Sequence, residues 1–314
     1  MKLDGAKVLV TGGKGFLGKH VVQALKIARA YVLVPAHSEM DCLDRYQIDD
    51  FIGYHKPDIV VHLAARVGGI GANQAEPARF FYENMLMGLN IIHASAMWSV
   101  QKFLLLGSCC SYPKFAKLPQ LEEYLFSGYP EDTNAAYGIA KRSLIVMLNS
   151  YRQQYGFNGI SLIPANLYGS GDSLDTAKNH VIPAMIIKFL HAKAKNAPNV
   201  TLWGTGKPTR EFLYVEDCAD AIVQALEKYD QEYAINIGTG EEISIKELSQ
   251  LIAKKVEYKG EIVFDTSKPD GQPRRKLDTE KAQFSFGWKA QTPLEEGLIY
   301  TIEDITRRLD NFGN

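Results

Sequence analysis

Short apolar runs alternate with longer amphipathic segments through the first half of the chain. Each run is rich in valine, isoleucine or leucine, which is typical of a strand buried on both faces. The predicted strands are Val8 to Thr11, Tyr31 to Val34, Asp58 to His62, Lys102 to Leu106 and Gly159 to Pro164. Between them, the spacing of the apolar residues predicts helices over residues 16 to 28, 44 to 55, 76 to 98 and 133 to 155.

This order of elements predicts an α/β fold with a doubly wound parallel sheet of the Rossmann type. Right-handed crossovers through the helices place the strands side by side in such a fold. Ligands bind beyond the carboxyl ends of the strands. The loops that follow the first, third, fourth and fifth predicted strands are therefore expected to share one ligand-binding edge.

The pattern changes after about residue 167, where the elements become shorter and are separated by prolines. These prolines are Pro183, Pro198, Pro208, Pro269 and Pro273. We interpret residues 1–167 as a dinucleotide-binding domain. Residues 168–314 are interpreted as mainly a smaller substrate-binding α/β lobe, with some late elements returning to the first domain.

Composition and charge narrow the class of protein. With 314 residues, 46% of them hydrophobic, the chain can bury one large core or two joined ones. A net charge of -1 argues against nucleic-acid or membrane-surface partners. No apolar stretch reaches the roughly 18 residues that span a bilayer, and the first residues lack a signal peptide's apolar segment. The four cysteines fit neither a disulfide framework nor a zinc site, so we expect a cytoplasmic protein without a metal.

A glycine loop follows the first predicted strand and reads Thr11-Gly-Gly-Lys-Gly-Phe-Leu-Gly18. Glycines at this spacing let the backbone approach a pyrophosphate at a helix N-terminus. The candidate cofactor contacts here are Gly12, Lys14, Gly15, Phe16, Leu17 and Gly18. Lys14 can pair with a 2′-phosphate, or it is simply a solvated loop charge.

The tip of the second predicted strand bears on the choice of cofactor. It reads Val34-Pro-Ala-His-Ser38, without an acid until Glu39, whereas sites that prefer NAD usually carry an acid there. NADP(H) is therefore the expected cofactor. Asp41 is a candidate contact to the adenine edge or a solvated turn acid. Ala64, in a small-residue segment after the third strand, is expected beside the cofactor, and Asn84 either bonds backbone near the site or lies on a helix surface.

Tyr137 and Lys141 are four residues apart on a predicted helix, so they share one face. An ammonium beside a phenol is expected to lower the phenol's pKa. Ser108 follows the fourth predicted strand and can hold the same substrate oxygen. A nicotinamide beside these three groups would reduce a ketone or oxidise an alcohol.

A wider set of motifs extends along the chain. The motifs are His62-Leu-Ala-Ala-Arg-Val-Gly-Gly-Ile70, Leu106-Gly-Ser-Cys-Cys-Ser-Tyr-Pro-Lys114, Asn166-Leu-Tyr-Gly169, Asn179-His-Val-Ile-Pro183, Trp203-Gly-Thr-Gly206, Arg210-Glu-Phe-Leu213 and Pro269-Asp-Gly-Gln-Pro-Arg274. Together they resemble the GDP-L-fucose synthase family of extended short-chain dehydrogenases/reductases. That family comprises GDP-4-keto-6-deoxy-D-mannose 3,5-epimerase-4-reductases, and the resemblance runs from about residue 6 to about residue 290.

The resemblance implies roles for particular residues. It implies a reductase triad of Ser108, Tyr137 and Lys141, with Cys110 and His180 as the base and acid of epimerisation, in either order. Further cofactor contacts are implied for Tyr137, Lys141, Asn166, Leu167 and His180. Contacts to the GDP-sugar are implied for Lys188, Trp203, Arg210 and Arg275. Lys188 stands where the family often has arginine, and Cys109 is expected to be a spectator or a packing residue.

Without the resemblance, other readings of these residues stay open. Cys110 can be a small core residue and His180 a helix cap. One alternative enzyme is a related GDP-4-keto-deoxy-sugar 4-reductase of a deoxyheptose or colitose pathway, with or without epimerisation. Another alternative is a catalytically silent protein that senses NADPH.

The helices predicted over residues 76 to 98 and 133 to 155 carry apolar residues on more than one face. Those of the first helix are Phe80, Phe81, Met85, Met87 and Ile91. Surplus apolar surface usually meets a partner, and pairing the two helices across a two-fold axis would make a four-helix bundle. We therefore expect a homodimer, the alternative being burial under the chain's own lobe.

Overall fold

The computed structural model of the protein describes residues 1–175 and 180–312. Numbered in chain order, the strands are β1 Lys7–Thr11, β2 Tyr31–Leu33, β3 Ile59–His62, β4 Lys102–Leu106, β5 Gly159–Pro164, β6 Asn166–Tyr168, β7 Asn199–Trp203, β8 Thr209–Arg210, β9 Phe212–Tyr214, β10 Ile235–Ile237, β11 Ile243–Ser244, β12 Glu261–Asp265 and β13 Arg274–Arg275.

The α-helices lie between these strands, and none in the described part of the chain is long and apolar enough to cross a bilayer. They are α1 Phe16–Ile27, α2 Arg45–His55, α3 Ile70–Ala75, α4 Pro77–Met97, α5 Ala135–Tyr155, α6 Val181–Ala194, α7 Val215–Lys228, α8 Ile245–Val256, α9 Glu280–Phe286 and α10 Leu294–Phe312.

The central sheet has six strands in the order β10-β5-β4-β3-β1-β2. Every neighbouring pair is parallel, which confirms the predicted doubly wound α/β fold. The chain steps from β1 outward to β2 and then returns to the other side of β1 with β3. The crevice between β1 and β3 is therefore the topological switch point, the position at which such sheets bind ligands.

The predicted element ends are correct to within a few residues. The second strand stops at Leu33 because its pairing with β1 ends there. The helix predicted from residue 133 begins at Ala135, since Asp132–Asn134 form a single 3₁₀ turn. Gly156, at φ +66°, ends α5 in the left-handed conformation that glycine adopts without strain.

Two hydrophobic clusters divide the core. The first surrounds the central sheet and includes residues of α7, β10 and α9, for example Ile222, Ile235 and Phe286. The second is built from α6, α8 and α10 with the short strands around them. Late elements thus lie in both clusters, and we keep residue 167 as the proposed division between the domains.

Candidate active site

The glycine loop is packed too closely for any larger residue at two positions. Gly12 has φ +70°, and a Cβ there would lie 2.7 Å from the backbone nitrogen of Ala64. A Cβ on Gly18 would lie 2.1 Å from the carbonyl oxygen of Gly12. These contacts bring β1, α1 and the loop after β3 together at the switch point, so the cradle has the form that a dinucleotide requires.

The N-terminus of α1 opens onto this cradle. Gly15 is its N-cap and supplies no side chain to the free N–H groups of the first turn. These N–H groups and the positive end of the helix dipole favour an anion. Phe16 is half-buried, Leu17 is buried and Lys14 is exposed, so the position of Lys14 fits both a phosphate contact and a solvated charge.

The two acidic side chains after the tip of β2 both make local contacts. The Glu39 carboxylate accepts the Ala36 N–H and so closes the turn on itself. Asp41 Oδ1 accepts the Leu43 N–H at 2.9 Å and lies 3.5 Å from His37 Nε2. Asp41 therefore shapes its own turn, and its contact with adenine stays a prediction.

The end of β3 is fixed by buried side chains. Thr11 Oγ1 and His62 Nδ1 are hydrogen-bonded at 2.8 Å, and Thr11 Oγ1 also accepts the Ala64 N–H. Burial and the neighbouring Lys141 lower the pKa of His62 to about 3, so this histidine stays neutral. Asn84 bonds both the N–H and the carbonyl oxygen of Arg66, which confirms the backbone role considered for it.

Ser108, Tyr137 and Lys141 come together where β4 meets α5. Lys141 is 2% exposed, and its Nζ donates to the Leu106 carbonyl oxygen at 3.0 Å. The Ser108 hydroxyl lies near enough to Tyr137 to act on the pKa of its phenol. The three predicted residues thus lie near one another at the carboxyl edge of the sheet.

The pKa of Tyr137 departs from the expectation, because it is raised and not lowered. Burial of the phenol is the largest cause, and the negative charge of Cys110 adds to it. Burial also lowers the pKa of Lys141 to about 8. Tyr137 is therefore protonated at neutral pH, ready to donate a proton.

Gly138 explains how the tyrosine comes so close to the cysteine loop. A Cβ at this position would lie 2.4 Å from the carbonyl oxygen of Cys110. Because the residue beside Tyr137 is a glycine, the first turn of α5 can pack directly on the 3₁₀ turn Cys109–Ser111. Tyr137 and Cys110 therefore lie close together.

Cys110 is surrounded by hydrogen-bond donors. Arg275 Nη1 lies 3.3 Å from its sulfur and Asn134 Nδ2 lies 3.5 Å from it. The neighbouring Cys109 thiol, together with Arg275 and Ser108, holds the pKa of Cys110 well below its usual value. Cys109 itself is buried in the first cluster, as expected of a packing residue, and its thiol donates to Asn166 Oδ1 at 3.9 Å.

His180 is the N-cap residue of α6, and Asn179, which precedes it in the motif, lies outside the described residues. Its Nδ1 lies 3.4 Å from Oδ2 of the buried Asp172. This hydrogen bond raises the pKa of His180, and the charge of Cys110 contributes in the same direction. The imidazole is thereby favoured as a proton-carrying acid next to a thiolate.

Two of the proposed GDP-sugar contacts lie side by side. Arg210 and Arg275 are register partners of the parallel strands β8 and β13. Arg210 donates to the carbonyl oxygens of Thr209 and Asp270 and is partly buried. Arg275 is only 6% exposed and points at the two cysteines, so its side chain faces the thiols more than the opening of the pocket.

The other proposed ligand contacts lie on β6, β7 and α6. Trp203 is 59% exposed at the end of β7, with the Lys268 ammonium 5.6 Å from its ring centre. The exposed Lys188 donates to the Thr201 carbonyl oxygen at 3.1 Å. Asn166 in β6 donates to the Glu211 carbonyl oxygen, and Leu167 beside it is half-buried. Contacts of these side chains with a ligand remain predictions.

The sequence and the fold both match known proteins. Residues 8–238 match the NAD dependent epimerase/dehydratase family. The chain belongs to this family.

Three relatives within or near this family show which specialised enzymes the chain resembles. It is 45% identical to the GDP-L-fucose synthase of Sinorhizobium fredii over 96% of each chain. It is 36% identical to the GDP-L-colitose synthase of Yersinia pseudotuberculosis, covering 97% of this chain and 99% of that one. The solved GDP-mannoheptose C4 reductase of Campylobacter jejuni, with NADP bound, superposes with a TM-score of 0.88 at 34% identity, covering 98% and 99% of the two chains.

Three residues that complete the site in this member of the epimerase/dehydratase family were not singled out from the sequence. Asn134 precedes Tyr137 by three residues, and that helical spacing was a usable signal. Gln272 lies inside the motif from Pro269 to Arg274, but only the folded chain shows that it holds Arg275. Asp172 had no sequence signal, since its contact with His180 depends on how the intervening chain folds.

Proposed function

We propose that the protein converts GDP-4-keto-6-deoxy-D-mannose into GDP-L-fucose by inverting C3 and C5 and reducing C4 with NADPH. The observation that carries this proposal is the position of Cys110 beside Ser108 and Tyr137, with opposite pKa shifts on Cys110 and His180. Reduction alone needs neither the thiol nor the imidazole. Inversion needs a base and an acid, and the similarity to GDP-L-fucose synthases supports the substrate.

The chain's cofactor cradle fits NADP(H). The tight packing at Gly12 and Gly18 and the open N-terminus of α1 suit the pyrophosphate. NADPH supplies the hydride for C4 when it is bound. We propose that Lys14, exposed in the loop, contacts the 2′-phosphate, because the β2 tip offers no free carboxylate to the ribose hydroxyls.

Epimerisation uses the ketone already present at C4. The Cys110 thiolate takes the proton from C3 or C5, and the electron pair of the broken C–H bond delocalises onto the C4 oxygen. The hydroxyls of Ser108 and Tyr137 stabilise this oxyanion by donating hydrogen bonds. The His180 imidazolium then returns a proton to the opposite face of the carbon, which inverts it.

Reduction uses the raised pKa of Tyr137. A phenol that stays protonated at neutral pH can pass its proton to the C4 oxygen as the carbon accepts a hydride. Lys141 lies one helical turn away, and its ammonium favours the phenolate that remains after the transfer. Ser108 keeps the substrate oxygen within reach of the phenol.

A thiolate is also the form of cysteine that oxidises most readily. Cys110 is partly exposed, so an oxidant that enters the pocket can reach its sulfur. We therefore propose that the protein works in a reducing compartment such as the cytoplasm.

The alternative is a GDP-4-keto-sugar reductase that does not invert the ring. The likeness to the Campylobacter jejuni C4 reductase favours it, and so does the partial exposure of His180, whose side chain is 44% exposed. The donors that converge on Cys110 have no purpose in a reductase of this kind. That cluster is why epimerisation with reduction is the proposed function.

The proposal is tested with NADPH and GDP-4-keto-6-deoxy-D-mannose in D₂O. We expect NADPH oxidation and a product with the L-galacto configuration of fucose, carrying solvent deuterium at C3 and C5 by NMR. GDP-D-mannose, which lacks the ketone, is the matched control and should leave NADPH unconsumed. A 4-reduced sugar without ring deuterium would establish the reductase alternative, and the absence of any turnover would refute both.

A further proposal concerns the oligomer. Of the five residues from which a homodimer was expected, Phe80 and Ile91 are buried in the chain's own core and only Phe81 is largely exposed. Met85 and Met87 are partly buried against the first cluster. These five residues therefore do not form one exposed apolar surface that could meet a partner.

A different apolar surface remains on the same two helices, which pack closely where Gly88 meets Leu144. Tyr82 and Leu89 of α4 and Val146 of α5 are 64%, 38% and 49% exposed. Helix faces of this kind usually meet a partner, so we propose a homodimer through a four-helix bundle of α4 and α5 from two copies.

The double variant Leu89→Glu with Val146→Glu is expected to shift the protein from dimer to monomer in light scattering at micromolar concentration. Two carboxylates facing their symmetry copies would leave unpaired charges in an apolar interface. Val263→Glu is the matched control, because this exposed valine lies on β12 in the other lobe. A wild-type protein that is already monomeric would contradict the proposal.

A further inference from the structure

Arg275 is a buried arginine whose guanidinium is held in one orientation. Its Nε and Nη2 donate to Gln272 Oε1 at 3.0 and 2.8 Å. Gln272, itself 3% exposed, is anchored in turn because its Nε2 donates to the Lys114 carbonyl oxygen at 3.1 Å. A planar guanidinium gripped along one edge has its other edge fixed in direction.

The free edge of that guanidinium faces sulfur. Arg275 Nη1 lies 3.3 Å from Cys110 Sγ and 3.7 Å from Cys109 Sγ. No carboxylate in the described residues forms an ion pair with Arg275 within 4 Å. Burying an arginine without a counter-ion is costly, and a thiolate at this position removes that cost.

The other charged groups near Cys110 do not take over this role. Arg210 has its guanidinium turned to backbone carbonyls of the neighbouring loop, and Glu211, next to it, acts on Cys109. His180 hydrogen-bonds to Asp172, and Tyr137 is a protonated phenol. The guanidinium of Arg275 is therefore the cation that contacts the sulfur directly.

We propose that Arg275, held in place by Gln272, is a positioning residue that keeps Cys110 in the thiolate form before substrate arrives. This inference rests on the proposed function and deepens it. The base is then charged independently of His180, so His180 can keep its own proton for the opposite face. When the thiolate accepts a proton from C3 or C5 it becomes a thiol, and it returns that proton to solvent before the next inversion.

The test follows the rate of Cys110 alkylation by iodoacetamide against pH, read by tandem mass spectrometry of the peptide in the full-length protein. Only the thiolate reacts, so the rate follows the thiolate fraction. In the wild type we expect the alkylation rate to rise with pH and to reach its plateau already below neutral pH. In Arg275→Met the same plateau should move to alkaline pH, and the rate at pH 7 should fall by about tenfold for each unit by which the thiol pKa rises.

Matched variants separate charge from general damage to the fold. Arg274→Met is the control, because the exposed Arg274 pairs with Glu242 and should leave the alkylation profile unchanged. Arg275→Lys restores the charge without the fork, so its midpoint is expected between those of wild type and Arg275→Met. If Arg275→Met does not fold, Gln272→Met is used in its place. It keeps the Arg275 charge but no longer holds the guanidinium in one orientation, so the alkylation midpoint should move to higher pH by a smaller amount.

Alkylation needs no substrate, so its outcome is independent of whether the sugar and the reaction are correctly assigned. An alkylation midpoint that is unchanged in folded Arg275→Met and in Gln272→Met overturns the inference. Arg275 would then be a substrate contact only, and a raised KM for the GDP-sugar with an unmoved pH profile would identify it as one.

Discussion

Replacing Tyr137 with phenylalanine is expected to lower the rate of C4 reduction by about 10²–10⁴-fold, the usual contribution of a general acid. The phenol is the proton donor for the C4 oxygen, and burial together with the charge of Cys110 raises its pKa so that it is protonated at neutral pH. Phenylalanine keeps the ring and loses only the hydroxyl. NADPH affinity should therefore change little.

The measurement is steady-state NADPH oxidation, with NADPH binding followed separately by fluorescence. Tyr129→Phe is the control, since Tyr129 is 63% exposed on the surface and should retain wild-type turnover. An isotope effect with NADPH deuterated at the transferred position establishes whether hydride transfer limits the rate. If hydride transfer limits the rate and Tyr137→Phe still turns over at nearly the wild-type rate, Tyr137 is not the proton donor to the C4 oxygen.

The fold was predictable where the sequence pattern is local. Each of the first five sheet strands is a short apolar run, and all of them except the edge strand β2 are buried along nearly their whole length, as parallel strands covered by helices on both faces are. The remaining strand of the central sheet, β10, was not predicted. It is only three residues long, Ile235–Ile237, and is identified as a strand by its pairing with β5. Pairing of that kind depends on tertiary structure and leaves no periodic signal.

The candidate site shows the same division between local and tertiary information. The spacing of Tyr137 and Lys141 placed both on one helix face, and in the folded chain Lys141 Nζ bonds the Leu106 carbonyl oxygen, two residues before Ser108. The direction of the phenol's pKa shift was predicted wrongly, because the helix spacing shows the nearby ammonium but not the burial. Burial follows from the close approach at Gly138, which also brings the charge of Cys110 next to the phenol.

Cys109 illustrates a second limit of the sequence. Its small apolar side chain and its place next to Cys110 predict a packing residue. In the folded chain it is buried as predicted, but its thiol also donates to Asn166 Oδ1, and the two cysteines share the guanidinium of Arg275. Arg275 is 165 residues away from Cys110 in the sequence, so only the assembled lobes reveal the contact.

The second large effect is expected from the variants Cys110→Ser and His180→Gln. Loss of the thiol or of the imidazole should separate epimerisation from reduction. Serine cannot ionise near neutral pH, so Cys110→Ser lacks the base beside Ser108 and Tyr137. We expect deuterium entry from D₂O at C3 and C5 to slow by about 10²–10⁴-fold. His180→Gln keeps a hydrogen-bonding side chain near Asp172 but carries no proton to deliver, so it should block inversion after proton removal.

Both variants keep Tyr137 and Lys141, so reduction at C4 should continue and an unepimerised 4-reduced sugar should accumulate. NMR of deuterium uptake together with identification of the product measures both effects in one experiment. Cys42→Ser is the control, because Cys42 is a buried cysteine of the first hydrophobic cluster but has no proposed catalytic role. If exchange and fucose formation persist unchanged in Cys110→Ser and in His180→Gln, the thiol and the imidazole are not the base and acid, and the C4 reductase becomes the better account of this site.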